Sequence, residues 1–111
     1  MAKNYSGESF EELKKNFPNA SEYEEQYEYI FIPELKLSET VNVSALLCPQ
    51  PREGYNSRLF FSTKIPLTEE KPWTEFYIND KIWYAYSWKT PTGLSLIQMI
   101  GNHLKAKKNE E

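Results

Sequence analysis

The sequence predicts an α+β domain: an N-terminal helix, an antiparallel meander of four or five strands, and a C-terminal helix packed on the sheet. Three observations predict it. Apolar residues recur at helical spacing near the two ends of the chain. Between those ends they alternate with polar residues in short runs. The runs are separated by segments rich in Pro, Gly, Asn and Asp.

The first helix is written in SFEELKKNF. Ser9 is the candidate cap, Glu12 follows three residues later as in a capping box, and Phe10, Leu13 and Phe17 make an apolar stripe that Pro18 ends. NASEYEEQ reads as a further helical turn opened by Asn19 or Ser21, and a strand follows at 27–32. There Tyr27, Tyr29 and Phe31 share one face and Ile30 and Ile32 the other, so both faces are covered. Val41, Val43, Ala45 and Leu47 alternate with Asn42, Ser44, Leu46 and Cys48 until PQPREG stops the strand. After the turn at Gly54, SRLFFSTKI forms its neighbour. TEFYI and KIWYAYSW flank Asn79-Asp80, a dipeptide suited to a tight hairpin although the usual glycine is missing. In the last helix Thr90 and Pro91 are the expected cap and first position. Leu94, Ile97, Ile100 and Leu104 form its stripe, widened by Leu96 and Met99, and KAKK suits its negative end. Gly101 inside that helix predicts close packing on the sheet.

At 111 residues the chain is one domain, with flexible ends expected at 1–7 and 107–111. Apolar residues at 40% exclude wholesale disorder. Charge is uneven, with eight acidic residues against three lysines in residues 1–35 and a slight basic excess beyond. The absence of a concentrated basic face disfavours nucleic acid as a partner. One cysteine allows no intrachain disulfide, and no apolar run reaches a membrane span or a secretory leader, so the expectation is a cytoplasmic protein without membrane association. No residue pattern calls for a cofactor or a metal.

The candidate chemistry is sparse. Cys48 is the one possible thiol nucleophile, placed near the sheet edge by Pro49, with a buried structural cysteine as the competing reading. His103, at the polar edge of the last helix, lacks partners of defined spacing and reads as partly exposed. Glu22, Glu24, Glu25 and Glu28, with Glu24 and Glu28 on one side of a helical turn, read as a solvated acidic surface. The aromatic residues stand out. Trp73, Tyr77, Trp83, Tyr84 and Trp88, with Tyr86 among them, exceed what so small a core needs. In the strand from Lys81 to Trp88, Trp83, Ala85 and Ser87 share one face, and Ile82, Tyr84, Tyr86 and Trp88 the other. One face is then core and the other a partner-binding surface, with core packing alone as the alternative.

PREGYNSRLFF (51–61), as strand, turn and strand, and INDKIWYAYSWKTPTGLSLIQMIGNHL (78–104) carry a family resemblance. The latter holds an Asn, a polar turn, a Trp, a Pro and a helix of the form L-x-x-I-x-x-x-L. The chain resembles the ubiquitin-conjugating-enzyme superfamily in its compact bacterial form. The resemblance implies a helix, a four-stranded meander, an active-site segment and a following helix. The family's His-Pro-Asn stands here as Tyr77-Ile78-Asn79, so Asn79, the position that stabilises the oxyanion in that family, carries over alone. The family's Tyr-Pro pair is replaced by KIPL. The nucleophile's position falls at Trp83 with a shortened loop or at Ser87 without one, and neither is a thiol. A serine without a dedicated base forms an oxyester poorly. The resemblance therefore implies a non-catalytic protein-binding domain in a bacterial ubiquitin-like conjugation or phage-defence system, with a ubiquitin-like protein, an activating enzyme or a defence component as partner. Two other readings compete with it: a small acidic inhibitor, phage-encoded, acting through its glutamates, and a thiol enzyme using Cys48.

Overall fold

The structure is a computed structural model that describes residues 4–108. Helix α1 (Gly7–Asn16) is followed by six strands, β1 (Ser21–Glu24), β2 (Glu28–Lys36), β3 (Asn42–Cys48), β4 (Arg58–Phe61), β5 (Trp73–Ile78) and β6 (Lys81–Tyr86), and then by helix α2 (Leu96–His103) and a 3₁₀ turn, Leu104–Ala106. All pairings are antiparallel and the order is β1-β2-β3-β4-β6-β5. The class is α+β as expected, with six strands instead of four or five. The meander holds through β4, after which the chain crosses over so that β6, not β5, lies beside β4. That junction is narrow, with Phe61 opposite Tyr84 as its one register pair.

The additional strand is β1, where a helical turn was expected. Ser21 and Tyr23 alternate with Glu22 and Glu24 and pair with Phe31, Tyr29, Ile30 and Glu28 of β2. Pairing with a ready neighbour outweighs the weak local preference for a turn of helix. β2 in turn runs four residues past its expected end. Pro33 offers no N–H to the ladder, and the register shifts between Ile32 and Leu35, so a bulge carries the strand past it. The Ser44 hydroxyl donates to the Pro33 carbonyl at 2.9 Å.

Both helices start elsewhere than the sequence suggests. Ser6, not Ser9, caps α1, its hydroxyl accepting from Ser9 N at 3.1 Å. The Ser9 hydroxyl instead accepts from Leu96 N at 2.9 Å and so caps the other helix. α2 opens at Ser95, which forms a capping box with Gln98. Gly93 with φ of 81° breaks any helix begun at Thr90. The buried stripe of α2 is accordingly Leu96, Ile100 and His103, whereas Leu94, Ile97 and Leu104 are half-buried. Gly101 does not pack on the sheet; it is exposed, with open space where a Cβ would stand.

The expectation of flexible ends falls partly on 1–3 and 109–111, outside the described residues. Within them, Tyr5 packs on Phe10, and Lys108 N donates to the Pro66 carbonyl at 2.8 Å.

The inner strands of the sheet bury apolar residues on both faces. Ile30, Ile32, Ala45, Leu47, Leu59 and Phe61 face the helices and meet Leu13, Leu96 and Ile100. Tyr29, Leu46, Cys48, Phe60, Trp83 and Ala85 form a second core on the other side. Among the described residues no helix covers that second core. The sheet closes over it by curling: β2 and β6 lie three places apart, about 14 Å in a flat sheet, yet the Phe31 and Trp83 rings stand 6.3 Å apart.

Candidate functional site

The concave side of the curled sheet collects as many aromatic residues as the helix side, and the loop between β3 and β4 supplies its cover. In that loop Arg52 and Tyr55 exchange two backbone hydrogen bonds of 2.9 Å around Glu53 (φ 51°) and Gly54 (φ 86°), a miniature hairpin. The hairpin lays the Arg52 guanidinium 3.9 Å from the Tyr27 ring centre and 5.4 Å from those of Phe60 and Phe76. Arg58, from the start of β4, stacks 4.1 Å from the Tyr55 ring centre and 5.5 Å from that of Phe76. Arg52 Nη1 donates to the Tyr29 hydroxyl at 2.8 Å. Arg58 Nη2 reaches the Tyr86 carbonyl at 3.5 Å, bridging the narrow β4–β6 junction. The Nε of each arginine is buried without a hydrogen bond; Arg52 Nε lies 3.5 Å from Glu53 Oε1, an ion pair too long and misaligned to count as one. Sequence reasoning did not single out either arginine. Their signal was the PREGY turn, which places two cations beside a strand of phenylalanines.

Cys48 lies inside this second core. Its strand is interior to the sheet, not at an edge, because β4 pairs beyond it. Its side chain has no exposed surface, its thiol donates to the Gln50 carbonyl at 3.8 Å, and burial pushes the thiol's pKa up, against the lowering effect of Arg52. A thiolate nucleophile needs the opposite conditions.

His103 is not partly exposed. It is 2% exposed, and its Nε2 lies 3.0 Å from the Ser57 hydroxyl, which also meets the Thr90 hydroxyl at 2.8 Å. Asn56 Nδ2 donates to the Thr90 carbonyl at 2.7 Å, and the Tyr86 hydroxyl to the His103 carbonyl. Burial, helped by the nearby Arg58 charge, pulls the imidazole pKa down to about 3, so it is neutral at pH 7. A Ser–His contact sealed this way joins α2 to β4 and to the segment at Thr90. It has no access for a substrate and no carboxylate to orient the ring.

The two positions implied by the conjugating-enzyme resemblance are held far apart. Asn79 sits in the β5–β6 turn, where it and Asp80 adopt φ of 53° and 59°, and its N–H donates to Glu25 Oε2 at 2.6 Å. Ser87 lies past the other end of β6, its hydroxyl 2.8 Å from that of Tyr55. The strand's rise puts roughly 20 Å between them. Trp83, the shortened-loop alternative, is 5% exposed and its indole N–H donates to the Ile78 carbonyl at 3.2 Å.

The aromatic residues named in the sequence divide differently from the expected two faces of β6. Trp83 is core on the concave side and Tyr86 is core on the helix side, so both faces of this strand contribute to a core. Trp73 and Trp88 are half-buried against the helix-side core, and Trp88 Nε1 donates to Asn102 Oδ1 at 2.9 Å. Tyr84 is half-buried with Lys64 Nζ 5.7 Å from its ring centre. Tyr77, 77% exposed, and Ile82, 39% exposed, are cross-strand partners on the same face as Tyr84, where the hairpin runs on past its buried end. They are the exposed large hydrophobic side chains among the described residues.

Glu22, Glu24 and Glu28 lie on a strand pair, not on a helix, with Glu25 in the turn between the strands, and Glu24 faces Glu28 directly across the pair. Glu25 ties the two ends of the sheet together, accepting from the Asn79 N–H and from the Tyr23 hydroxyl. That bond to Glu25 is the main reason the Tyr23 pKa is raised to about 12. Beside this tie, between β1 and the start of β6, opens a cavity of about 220 Å³ lined by Phe31, Leu46, Trp83 and Tyr23 together with Ser21, Glu22, Asn79 and Lys81. Among the described residues no group of three His, Cys, Asp or Glu side chains is placed to hold a metal ion, and no helix is long and apolar enough to cross a membrane. No protein family, curated protein or solved structure matches the chain.

Proposed function

We propose that this chain is a non-catalytic protein-binding domain that docks through the free end of the β5–β6 hairpin. The observation that carries the reading is the exposure of Tyr77 and Ile82 as a cross-strand pair. A tyrosine and an isoleucine side by side on a two-stranded ribbon present apolar area with little rotamer entropy to lose, the usual composition of an interface anchor. The remainder of the molecule favours binding over catalysis. Cys48, Ser57 and His103 are sealed in the interior, and Asn79 has its N–H committed to Glu25.

The resemblance to the conjugating-enzyme superfamily extends the proposal to a class of partner: a ubiquitin-like protein, its activating enzyme or a defence component. A first helix, the β1-β2-β3-β4 meander and a late helix are consistent with that resemblance; the inserted hairpin and the distance between Asn79 and Ser87 argue for a domain that binds without transferring.

The test is a crosslinking pull-down from the native cell with wild type and a Tyr77→Ser, Ile82→Thr double variant, both monitored by circular dichroism. Capture of one identified protein by wild type alone, with both chains folded, is the expected result. Equal capture by both chains overturns the hairpin as the docking site. A ubiquitin-like protein or activating enzyme in the captured band supports the narrower reading, and any other partner removes it.

A further inference from the structure

The glutamate surface and the aromatic strand, separate candidates in the sequence, meet at one place in the fold. We infer that the cavity between β1 and β6 is a binding site for a basic side chain, lysine or arginine, presented by a partner polypeptide; this rests on the protein-binding reading and adds a second contact to it. At about 220 Å³ the cavity is smaller than the roughly 300–1,000 Å³ of sites for drug-sized ligands, so it has room for one side chain. Its walls are three aromatic rings, Tyr23, Phe31 and Trp83, with Leu46 beside them. Phe31 and Trp83 stand at 83° to each other, edge to face.

Charge selects the occupant. Glu25 is bonded to the Tyr23 hydroxyl and to the Asn79 N–H, and Asp80 lies close enough to Tyr23 to raise its pKa further, whereas the Glu22 carboxylate accepts from the Tyr5 hydroxyl on the helix side. Opposed to these is Lys81, which is exposed, and Arg52 is occupied with Tyr29 and its own Glu53. A carboxylate or phosphate would enter against this balance. A neutral apolar group would gain nothing from it. An ammonium or guanidinium gains from the neighbouring Glu25 and Asp80 carboxylates and from the negative faces of the rings, the combination by which aromatic cages hold cations. The aliphatic stem of lysine or arginine suits the Leu46 side of the wall.

The test is a two-dimensional NMR titration of the full chain with the acetylated peptides Gly-Lys-Gly-Lys-Gly and Gly-Arg-Gly-Arg-Gly, and with Gly-Glu-Gly-Glu-Gly as the counterpart. The expected result is a shift of the Trp83 indole N–H and the Asn79 carboxamide with the basic peptides and none with the acidic one. Ser21→Phe, which fills the cavity from an exposed position, is expected to weaken binding about tenfold, and Lys81→Glu to tighten it several-fold. Tyr77→Ser with Ile82→Thr is expected to leave the titration unchanged, so failure of the hairpin reading and failure of the cavity reading are told apart. No binding at millimolar peptide, a preference for the acidic peptide, or shifts spread evenly over all the glutamates and indifferent to Ser21→Phe would overturn the site. Should Ser21→Phe fail to fold, Lys81→Glu decides: unchanged or weaker binding also rejects it.

Discussion

The two faces of the sheet are both apolar and are closed by different means. On the helix side, aliphatic residues of β2, β3 and β4 meet Leu13, Leu96 and Ile100, and the helices seal the layer. On the concave side no helix is present among the described residues, and closure depends on curvature, on ring-to-ring contacts and on two arginines laid over phenylalanine and tyrosine. A helix buries an aliphatic stripe with few gaps. A curled sheet leaves an opening where its ends approach, and here that opening is the cavity at Trp83. The face that is harder to close is the one that offers a binding site.

Core truncation gives the largest expected effect and the most direct way to break this comparison. Phe61→Ala, on the helix side and 0% exposed, should cost about 3–5 kcal/mol in urea unfolding. Phe76→Ala, half-buried on the concave side where Phe60 and the arginines can settle inward, should cost about 2 kcal/mol. Equal losses would mean that the arginine-covered face is packed as rigidly as the helical one.

Acid should act next, and through the helix side. The His103 pKa is about 3 folded against 6.5 unfolded, so between these values the unfolded chain binds the extra proton. Stability is therefore complete above pH 6.5 and falls as pH drops toward 3, by at most about 1.4 kcal/mol per unit. Thermal melts of wild type and His103→Asn over that window check it: the variant should be less stable at pH 7 and should lose less on acidification. A wild-type curve as flat as the variant's would remove the histidine from the account. Smallest is Gly101→Ala, on the exposed side of α2 and remote from both cores, expected to stabilise by about 1 kcal/mol. It sets the scale of a helix change that touches neither face.

The parts legible in the sequence were those fixed over a few residues. The alternation of Tyr29 and Phe31 with Ile30 and Ile32 assigned both faces of β2 correctly, and Asn79-Asp80 announced the hairpin without a glycine. The candidate site was less legible. Ser9 carried a proper capping signature and spends it on a helix 87 residues away. His103 looked like a polar edge residue because its partners, Ser57 and Thr90, come from distant segments. Glu25 and Asn79 meet across 54 residues of chain.

By itself, then, the sequence determined the type of every element but β1 and the two-sided strands, because period, capping chemistry and turn dipeptides act locally. Tertiary structure alone decided that β1 is a strand, that β6 lies next to β4, that the sheet curls, and that Cys48 and His103 lie in the interior. Pairing and curvature depend on contacts far apart in the chain, and no local pattern specifies which segments will meet.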